Sequence, residues 1–333
     1  MRIISLVIIV LTTVQCFAQN PPILKWYTIQ EAQELCKTQP KKILIDMYTD
    51  WCGWCKKMDA ETFNNPQIAQ YISSLYYPVK FNAETKDTIE FKGKKYTNNQ
   101  TGNRPTHDLA IELLNGKLSY PTIVYMDEQF NNLSPVAGYM TPRDIEPVLM
   151  FFGRNIYKTT SYEEFRTHFS NSFIDSTYIP KKVEWMTFNE ALVDNKTNPK
   201  DYMVFLNADW CIECRIMEKT SFGDSAIAKY MGEKFHAVSF NALSKDSIFF
   251  NNYNYINEGK EHPFHQLAVT MMNGKMDFPA MVFISKENQM ITVIPGYFSP
   301  MNLEPVLHFF SEGAYKTTTW EKYITTFKSS YKK

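Results

Sequence analysis

A six-residue motif, Asp-Trp-Cys-x-x-Cys, occurs twice in this chain, at residues 50–55 and 209–214. The same shift of 159 residues superposes other positions of the two halves, and after a one-residue gap a shift of 158 continues the match. The matched pairs include Trp26/Trp185, Thr28/Thr187, Glu31/Glu190, Pro105/Pro263, His107/His265, Pro121/Pro279 and Tyr139/Tyr297. Self-similarity at a long fixed period is typical of a repeated structural unit. We therefore interpret the chain as one domain that has been duplicated.

Length and charge agree with this interpretation. At roughly 150 residues per domain, 333 residues suit two domains, each long enough for a sizeable core. The 35 Lys and Arg residues balance 35 Asp and Glu residues, and 44% of the chain is hydrophobic. A globular protein is therefore expected. A basic nucleic-acid footprint, an acidic tail and a polybasic membrane patch are all disfavoured.

The N-terminus has the pattern of a secretory signal peptide. Arg2 precedes an apolar run at 3–14, and Ala18 offers a small residue for cleavage before Gln19. An uncleaved anchor is the alternative, but about 12 apolar residues fall short of the roughly 20 that span a bilayer. A lipoprotein signal at Cys16 lacks the expected small residues before it. We expect an exported chain, periplasmic or secreted, without a membrane span after cleavage.

The predicted domains are a signal peptide at 1–18, a first domain at 19–178 and a second domain at 179–333. Both halves show the same local patterns, which predict a mixed α/β sheet covered by helices. These patterns are capping boxes at 28–31 and 187–190, buried strands at 43–48 and 202–206, one helix running on from each cysteine motif, strands at 76–82 and 235–241, hairpins at 88–97 and 247–256, helices from His107 and His265, strand pairs from Pro121 and Pro279, and last helices from Pro142 and Pro300.

Four of the six cysteines form the two C-x-x-C pairs, Cys52/Cys55 and Cys211/Cys214. A thiolate at the start of a helix faces unpaired N–H groups, which lower a cysteine pKa from about 8.5 towards 7. The second cysteine returns to the same face about one turn later. Cys52 and Cys211 are therefore candidate nucleophiles, with Cys55 and Cys214 as resolving thiols. Half of a zinc site or an inert structural disulfide remains an alternative for an isolated pair.

The motif residues carry a resemblance to a known family. The first half reads Asp46-x4-Trp51-Cys52-Gly53-Trp54-Cys55-Lys56 after an apolar strand, with Pro121 downstream, and resembles the thioredoxin superfamily. The second half, at 208–222, resembles the soluble C-terminal domain of transmembrane thiol:disulfide interchange proteins. The resemblance runs from about Trp26 to the last core helix of each half. It implies two tandem thioredoxin-like domains, each with a mixed central sheet flanked by helices. The hairpin and a C-terminal helical extension are additions to that fold.

The resemblance also implies a substrate-binding surface. Pro121 and Pro279 are expected to be cis-prolines whose loops face the cysteines, and the backbone of the preceding residue pairs with extended substrate. The residues that the resemblance assigns to substrate binding are Trp51, Trp54, Tyr120, Pro121, Trp210, Phe278 and Pro279. The chemistry needs no bound cofactor and no metal, because the disulfides themselves are redox-active.

The halves differ where a proton would be transferred. Asp46 matches the family aspartate that takes a proton from the resolving thiol, and Lys80 matches its companion lysine. The second half has Phe205 and Ser239 at these positions. We hypothesise that the first half exchanges thiols faster, while the second holds mixed disulfides longer or acts as a relay. Ordinary drift of core residues is the alternative.

Three other features are informative. Glu213 lies inside the second motif and should disfavour a neighbouring thiolate, with Arg215 offsetting part of this effect. His107 and His265 are predicted to cap or pack their helices. Cys36 is replaced by Asn195 in the other half and is predicted to be a half-buried spare thiol.

These features predict an extracytoplasmic thiol:disulfide oxidoreductase that acts on protein thiols and disulfides. Its electrons must be exchanged with a partner, for which a membrane thiol reductase is one candidate. A non-catalytic binding module with structural disulfides and a C-x-x-C metal-handling protein are the competing functions. The sequence leaves open whether the chain works as a reductase, an oxidase or an isomerase.

Overall fold

The computed structural model describes residues 24–174, 176–177, 179–260 and 262–331. The predicted signal peptide at 1–18, with Cys16, lies outside the described residues. Within these ranges, every helix is too short or too polar to cross a membrane.

The first repeat begins with a capped helix and builds a four-stranded sheet. Its helices are α1 (Ile29–Thr38), α2 (Gly53–Met58), α3 (Pro66–Leu75), α4 (Asp108–Leu113), α5 (Pro142–Gly153) and α6 (Tyr162–Phe169). Its strands are β1 (Lys42–Tyr48), β2 (Tyr76–Asn82), β3 (Ile89–Phe91), β4 (Lys94–Tyr96), β5 (Thr122–Met126) and β6 (Asn132–Ala137). The sheet order is β2-β1-β5-β6, with β1 parallel to β2 and the other neighbours antiparallel.

The second repeat has the same order of elements. Its helices are α7 (Phe188–Asp194), α8 (Ile212–Thr220), α9 (Ser225–Lys234), α10 (Gln266–Met271), α11 (Pro300–Ser311) and α12 (Trp320–Thr326). Its strands are β7 (Asp201–Asn207), β8 (Phe235–Asn241), β9 (Ile248–Phe250), β10 (Tyr253–Tyr255), β11 (Ala280–Ile284) and β12 (Met290–Pro295). The sheet order is β12-β11-β7-β8, with β7 parallel to β8. The predicted mixed sheets are confirmed.

Local sequence patterns explain most of the boundaries. Thr28 and Thr187 form the predicted capping boxes with Glu31 and Glu190. Both predicted hairpins form, and their turns need residues with positive φ, which are Lys92-Gly93 in the first and Asn251-Asn252 in the second. These hairpins are two-stranded sheets separate from the central sheets.

The prediction of one continuous helix after each cysteine motif is wrong. In the first repeat, α2 passes into a π-helical turn at Asp59–Phe63, and α3 starts anew with Asn65 as its N-cap and Pro66 in its first turn. In the second repeat, Asp224 caps α9 after α8 has ended. An N-cap side chain bonded to the first free N–H groups starts a new helix, although the apolar spacing continues across the break.

The predicted roles of three smaller features are confirmed. His107 and His265 are fully buried N-caps, since Nδ1 accepts a hydrogen bond from the N–H of Leu109 and of Leu267 respectively. Cys36 is a half-buried free thiol, and burial raises its pKa.

By their contacts, the described residues up to Pro142 form one compact unit and the described residues from Arg143 onwards form another. The second unit therefore contains α6 and all of α5 after its first residue, as well as the second sheet. Within it, the Phe165 ring of α6 packs edge-on against Tyr297 with ring centres 5.7 Å apart, and Asn302 donates to the carbonyl of Thr159. Residue 178, the predicted end of the first domain, lies outside the described residues, and the predicted domain bounds stay a prediction.

Candidate functional site

Both cysteine pairs are disulfides at the start of a helix. Cys52–Cys55 precedes α2 and Cys211–Cys214 precedes α8. The first cysteine is the N-cap in each case, and its sulfur accepts a hydrogen bond from the N–H of the second, at 3.1 Å and 3.0 Å. All four cysteines are buried. In the reduced state, a thiolate at this position would be stabilised by the same N–H groups and by the helix dipole.

An aromatic contact joins each cysteine motif to a proline loop. The Trp51 and Tyr120 rings meet edge-on with centres 6.1 Å apart, and Trp210 and Phe278 do so at 5.7 Å. The peptide bonds Tyr120–Pro121 and Phe278–Pro279 are cis, as the resemblance implies. The structure thus brings Trp51 to the loop of Tyr120 and Pro121, and Trp210 to the loop of Phe278 and Pro279. Their binding role stays a prediction.

Three tryptophans of this surface are exposed, with 48% of Trp51, 58% of Trp54 and 55% of Trp210 accessible. Trp51 is held by Arg104, whose guanidinium lies 3.9 Å from the ring centre, and by a 2.9 Å hydrogen bond to Glu84. The ring centres of Trp54 and Tyr139 are 5.4 Å apart. Large, oriented aromatic side chains of this kind are typical of protein-binding surfaces.

A partly buried charge cluster joins β1, β2 and the π-helical turn after α2 in the first repeat. Lys80 Nζ is 2.5 Å from Asp46 Oδ2 and also pairs with Asp59. Burial raises the pKa of Asp46 to about 6, although Lys80 opposes this shift. For Lys80, burial alone would lower the pKa, but Asp46 and Asp59 together raise it. The second oxygen of Asp46, Oδ1, is buried without a hydrogen-bond partner among the described residues, which leaves it free to accept a proton.

The second repeat fills the same positions with an aromatic cluster. Phe205 on β7 is opposite Ser239 on β8, in the register that places Asp46 opposite Lys80 in the first repeat. Phe205 is fully buried against Trp185 and Phe222, with ring centres 5.7 Å and 4.8 Å away. This site therefore has neither the buried carboxylate nor its lysine.

The second motif has a different charge pair, which the sequence did not suggest. Glu213 is paired with Arg154, whose Nη1 lies 2.8 Å from Glu213 Oε1. Arg215, which was expected to offset part of the effect of Glu213 on the thiolate, donates to the carbonyl of Asp209, and the offset stays a prediction. Burial raises the pKa of Glu213 and Arg154 opposes the rise.

Two further residues of the sites were also missed. Asp59 follows Cys52 by seven residues and lies in the π-helical turn after α2, a position that gave no sign of its contact with Lys80. Arg104 lies between the hairpin and α4, and its sequence position carries no signal of its stacking on Trp51. Over the described ranges, no three His, Cys, Asp or Glu side chains are grouped so that they could hold a metal ion.

Comparisons with known proteins agree with this geometry. A family model described as a thioredoxin-like domain matches twice, at residues 29–153 and 188–311. The thiol:disulfide interchange protein DsbD of Haemophilus influenzae strain PittGG is 29% identical over 137 residues, which are 39% of this chain and 20% of that protein. DsbD of Haemophilus ducreyi is 40% identical over 111 residues, or 33% of this chain and 16% of that protein. This chain thus spans a fifth or less of the length of these relatives.

Among solved structures, the reduced C-terminal domain of DsbD from Neisseria meningitidis is 19% identical. The match covers 37% of this chain and 93% of that domain, with a TM-score of 0.27.

Proposed function

Since the chain belongs to the thioredoxin-like domain family, with two such domains in tandem, we propose that it is a thiol:disulfide oxidoreductase acting on protein thiols and disulfides. The observation that carries this proposal is the position of Cys52 and Cys211. Each is the N-cap of a helix and is joined through a neighbouring tryptophan to a cis-proline loop. A structural disulfide needs neither arrangement.

The proposed reaction is thiol–disulfide exchange. The thiolate of Cys52 or Cys211 attacks a substrate disulfide, forms a mixed disulfide and releases one substrate thiolate. Cys55 or Cys214 then attacks the mixed disulfide, which releases the second substrate thiol and restores the disulfide of the motif. The chain leaves oxidised and the substrate leaves reduced; the reverse sequence oxidises a substrate dithiol.

In the first motif, we propose that Asp46 accepts the proton that the resolving thiol Cys55 gives up. Its unpaired Oδ1 and its raised pKa both support this role, because a base with a pKa near the working pH is the most effective. The second motif has Phe205 at this position. Its resolving step should be slower, and its mixed disulfides should last longer.

We also propose that the chain works outside the cytoplasm, in the periplasm or after secretion. The apolar segment at 3–14, with Ala18 before Gln19, supports export. Disulfides persist in such compartments. Electrons would be exchanged there with a membrane thiol reductase. The mass of the chain recovered from the periplasm tests this, since cleavage after Ala18 leaves Gln19 as the first residue.

Reduction of insulin disulfides by dithiothreitol tests the activity. The chain should accelerate the reaction over dithiothreitol alone, and replacing all four motif cysteines by serine should abolish the acceleration. Variants with one motif replaced, at 52 and 55 or at 211 and 214, measure each motif separately. If the unsubstituted chain and the four-serine variant react alike, the proposed function is wrong.

A further inference from the structure

The second motif carries an acidic side chain between its cysteines, where the first has Trp54. Glu213 is 7% exposed, and its Oε2 lies 3.9 Å from the sulfur of Cys211. Burying a carboxylate is costly unless it is paired with an opposite charge, so a charged partner is expected beside Glu213.

Arg154 supplies the partner. Its guanidinium, 22% exposed, follows α5 and bonds to Oε1 of Glu213, so that Oε2 remains directed towards Cys211. Both members of this pair differ from their counterparts in the other repeat. The residue that corresponds to Arg154 is Glu312, and the residue that corresponds to Glu213 is Trp54. The pair therefore belongs to the second motif alone.

Resting on the proposed function, we propose that Glu213 is the proton acceptor of the nucleophilic thiol Cys211, and that Arg154 is the positioning residue that keeps this carboxylate ionised and oriented. The first motif has its carboxylate at Asp46, assigned to the resolving thiol. The second has Phe205 at that position and has a carboxylate beside the attacking thiol. The two motifs would thus assist opposite halves of the exchange cycle.

The step balances without a further reactant. The Cys211 S–H bond breaks and its proton passes to Oε2 of Glu213, while the sulfur bonds to one sulfur of a substrate disulfide. The other substrate sulfur leaves with the electron pair of the broken S–S bond and takes the proton from Glu213. The Cys211 sulfur is oxidised to a mixed disulfide and the leaving sulfur is reduced to a thiol. The starting dithiol is supplied by a thiol reductant.

The charged groups around Glu213 set the pH at which this works. Arg154 favours the carboxylate, whereas burial and the negative charge of Asp277 on the loop before Phe278 favour the protonated acid. Arg215, on the same helix, is engaged with the Asp209 carbonyl. Removing Arg154 would therefore leave Glu213 protonated over a wider pH range.

A full-length chain in which Cys211 is the single cysteine, the other five being serine, provides the test. Its reaction with the neutral disulfide 2,2′-dithiodipyridine is followed from pH 5 to 10. This reaction measures only the attack of one thiol, so it stays informative even if the insulin assay contradicts the proposed function. A thiol of ordinary pKa is only a few per cent ionised at pH 7, which limits the gain from a proton acceptor to about 30-fold.

We expect Glu213→Gln to slow the reaction at pH 7 about tenfold, with the difference disappearing above about pH 9, where the thiol ionises unaided. Arg154→Gln should also slow it at pH 7, and Arg154→Lys should restore part of the rate. In the Glu213→Gln background, Arg154→Gln should have no further effect. Glu233→Gln and Arg166→Gln, which alter exposed residues on α9 and α6, are the matched controls.

An unchanged or higher rate at pH 7 for Glu213→Gln would overturn the proposal, because a carboxylate that only repels the thiolate gives a faster reaction when it is removed. A loss that is constant from pH 5 to 10 would also overturn it, since that pattern indicates a structural defect.

Discussion

Asp46 and Lys80 face each other across the parallel strands β1 and β2, with Lys80 Nζ 2.5 Å from Asp46 Oδ2. The aligned positions of the second repeat, Phe205 and Ser239, keep the register and lose both charges. The same backbone therefore supports a buried ion pair in one domain and an aromatic core in the other. This difference can be tested by exchanging the residues and by titrating the first motif.

Asp46→Asn should stabilise the first domain at neutral pH. The folded-state pKa of Asp46 is about 6 against an ordinary 3.8, so the folded chain binds this proton more tightly than the unfolded chain. The cost of ionising the buried group is thus fully present above pH 6 and fades towards pH 4. Removing it should raise the free energy of unfolding at pH 7 by about 3 kcal/mol, with little change at pH 3.5. Chemical denaturation at both pH values measures this, with Glu90→Gln as an exposed control. A loss of stability at pH 7 would contradict the pKa of Asp46.

The first motif should lose activity in mild acid. In a chain that carries Cys211→Ser and Cys214→Ser, resolution of mixed disulfides by Cys55 should fall as the pH drops through about 6, because protonated Asp46 accepts no proton. Burial is the main cause of the raised pKa of Asp46, and the charge of Asp59 adds to it. Asp59→Asn should therefore move this acid limb to lower pH. Single-turnover kinetics from pH 4.5 to 8 follow the limb.

Glu218→Gln is the matched control for Asp59→Asn, since Glu218 is the corresponding residue of the second repeat. It should leave the acid limb of the first motif in place. If Asp59→Asn leaves the acid limb at the same pH, the charge of Asp59 does not affect the pKa of Asp46.

Phe205→Asp should destabilise the second domain, and Ser239→Lys should rescue part of the loss. The single change buries an unpaired carboxylate and opens a cavity beside Trp185, which together should lower the free energy of unfolding by more than about 3 kcal/mol. The register places a lysine at position 239 opposite the new aspartate. Phe205→Ala measures the cavity alone. If Ser239→Lys lowers the stability of Phe205→Asp still further, the register does not provide the pairing.

Trp54→Ala should weaken recognition of protein substrates by the first motif. Its exposed ring packs on Tyr139, and Lys57 Nζ lies 5.2 Å from the ring centre. This arrangement suits a surface that binds a partner protein. In a chain without the second motif, kcat/KM for insulin should fall about tenfold. The rate with a small disulfide should stay unchanged. Phe249→Ala removes an equally exposed aromatic ring from β9 and serves as the control. Equal losses with both substrates would assign Trp54 to the chemistry and not to recognition.

The sequence predicted those parts of the fold that depend on local patterns. The capping boxes at Thr28 and Thr187 and the hairpin turn at Asn251-Asn252 each need only a few neighbouring residues to form. The break before α3 was missed although Asn65-Pro66 is itself a helix-start signal, because the apolar spacing on both sides favours one helix.

The site was predictable to the extent that its residues lie near the cysteines or match the family. The Asp46–Lys80 contact follows from the resemblance and was found where expected. The Arg154–Glu213 contact joins residues of no shared motif, and a pair of this kind depends on how distant segments pack. No periodicity or spacing in the sequence encodes it.

The arrangement of Lys80 between two carboxylates constrains how a duplicated domain can change over evolutionary time. If Asp46 on β1 is replaced first, Lys80 keeps a charged partner, because Asp59 is half-exposed and still pairs with it. The intermediate should therefore remain folded. If the lysine is lost first, a fully buried carboxylate remains without its counter-ion. The two orders of mutation therefore differ in the stability of their intermediates. A lineage that converts the charged domain into the aromatic one should pass through an ancestor that has kept its lysine.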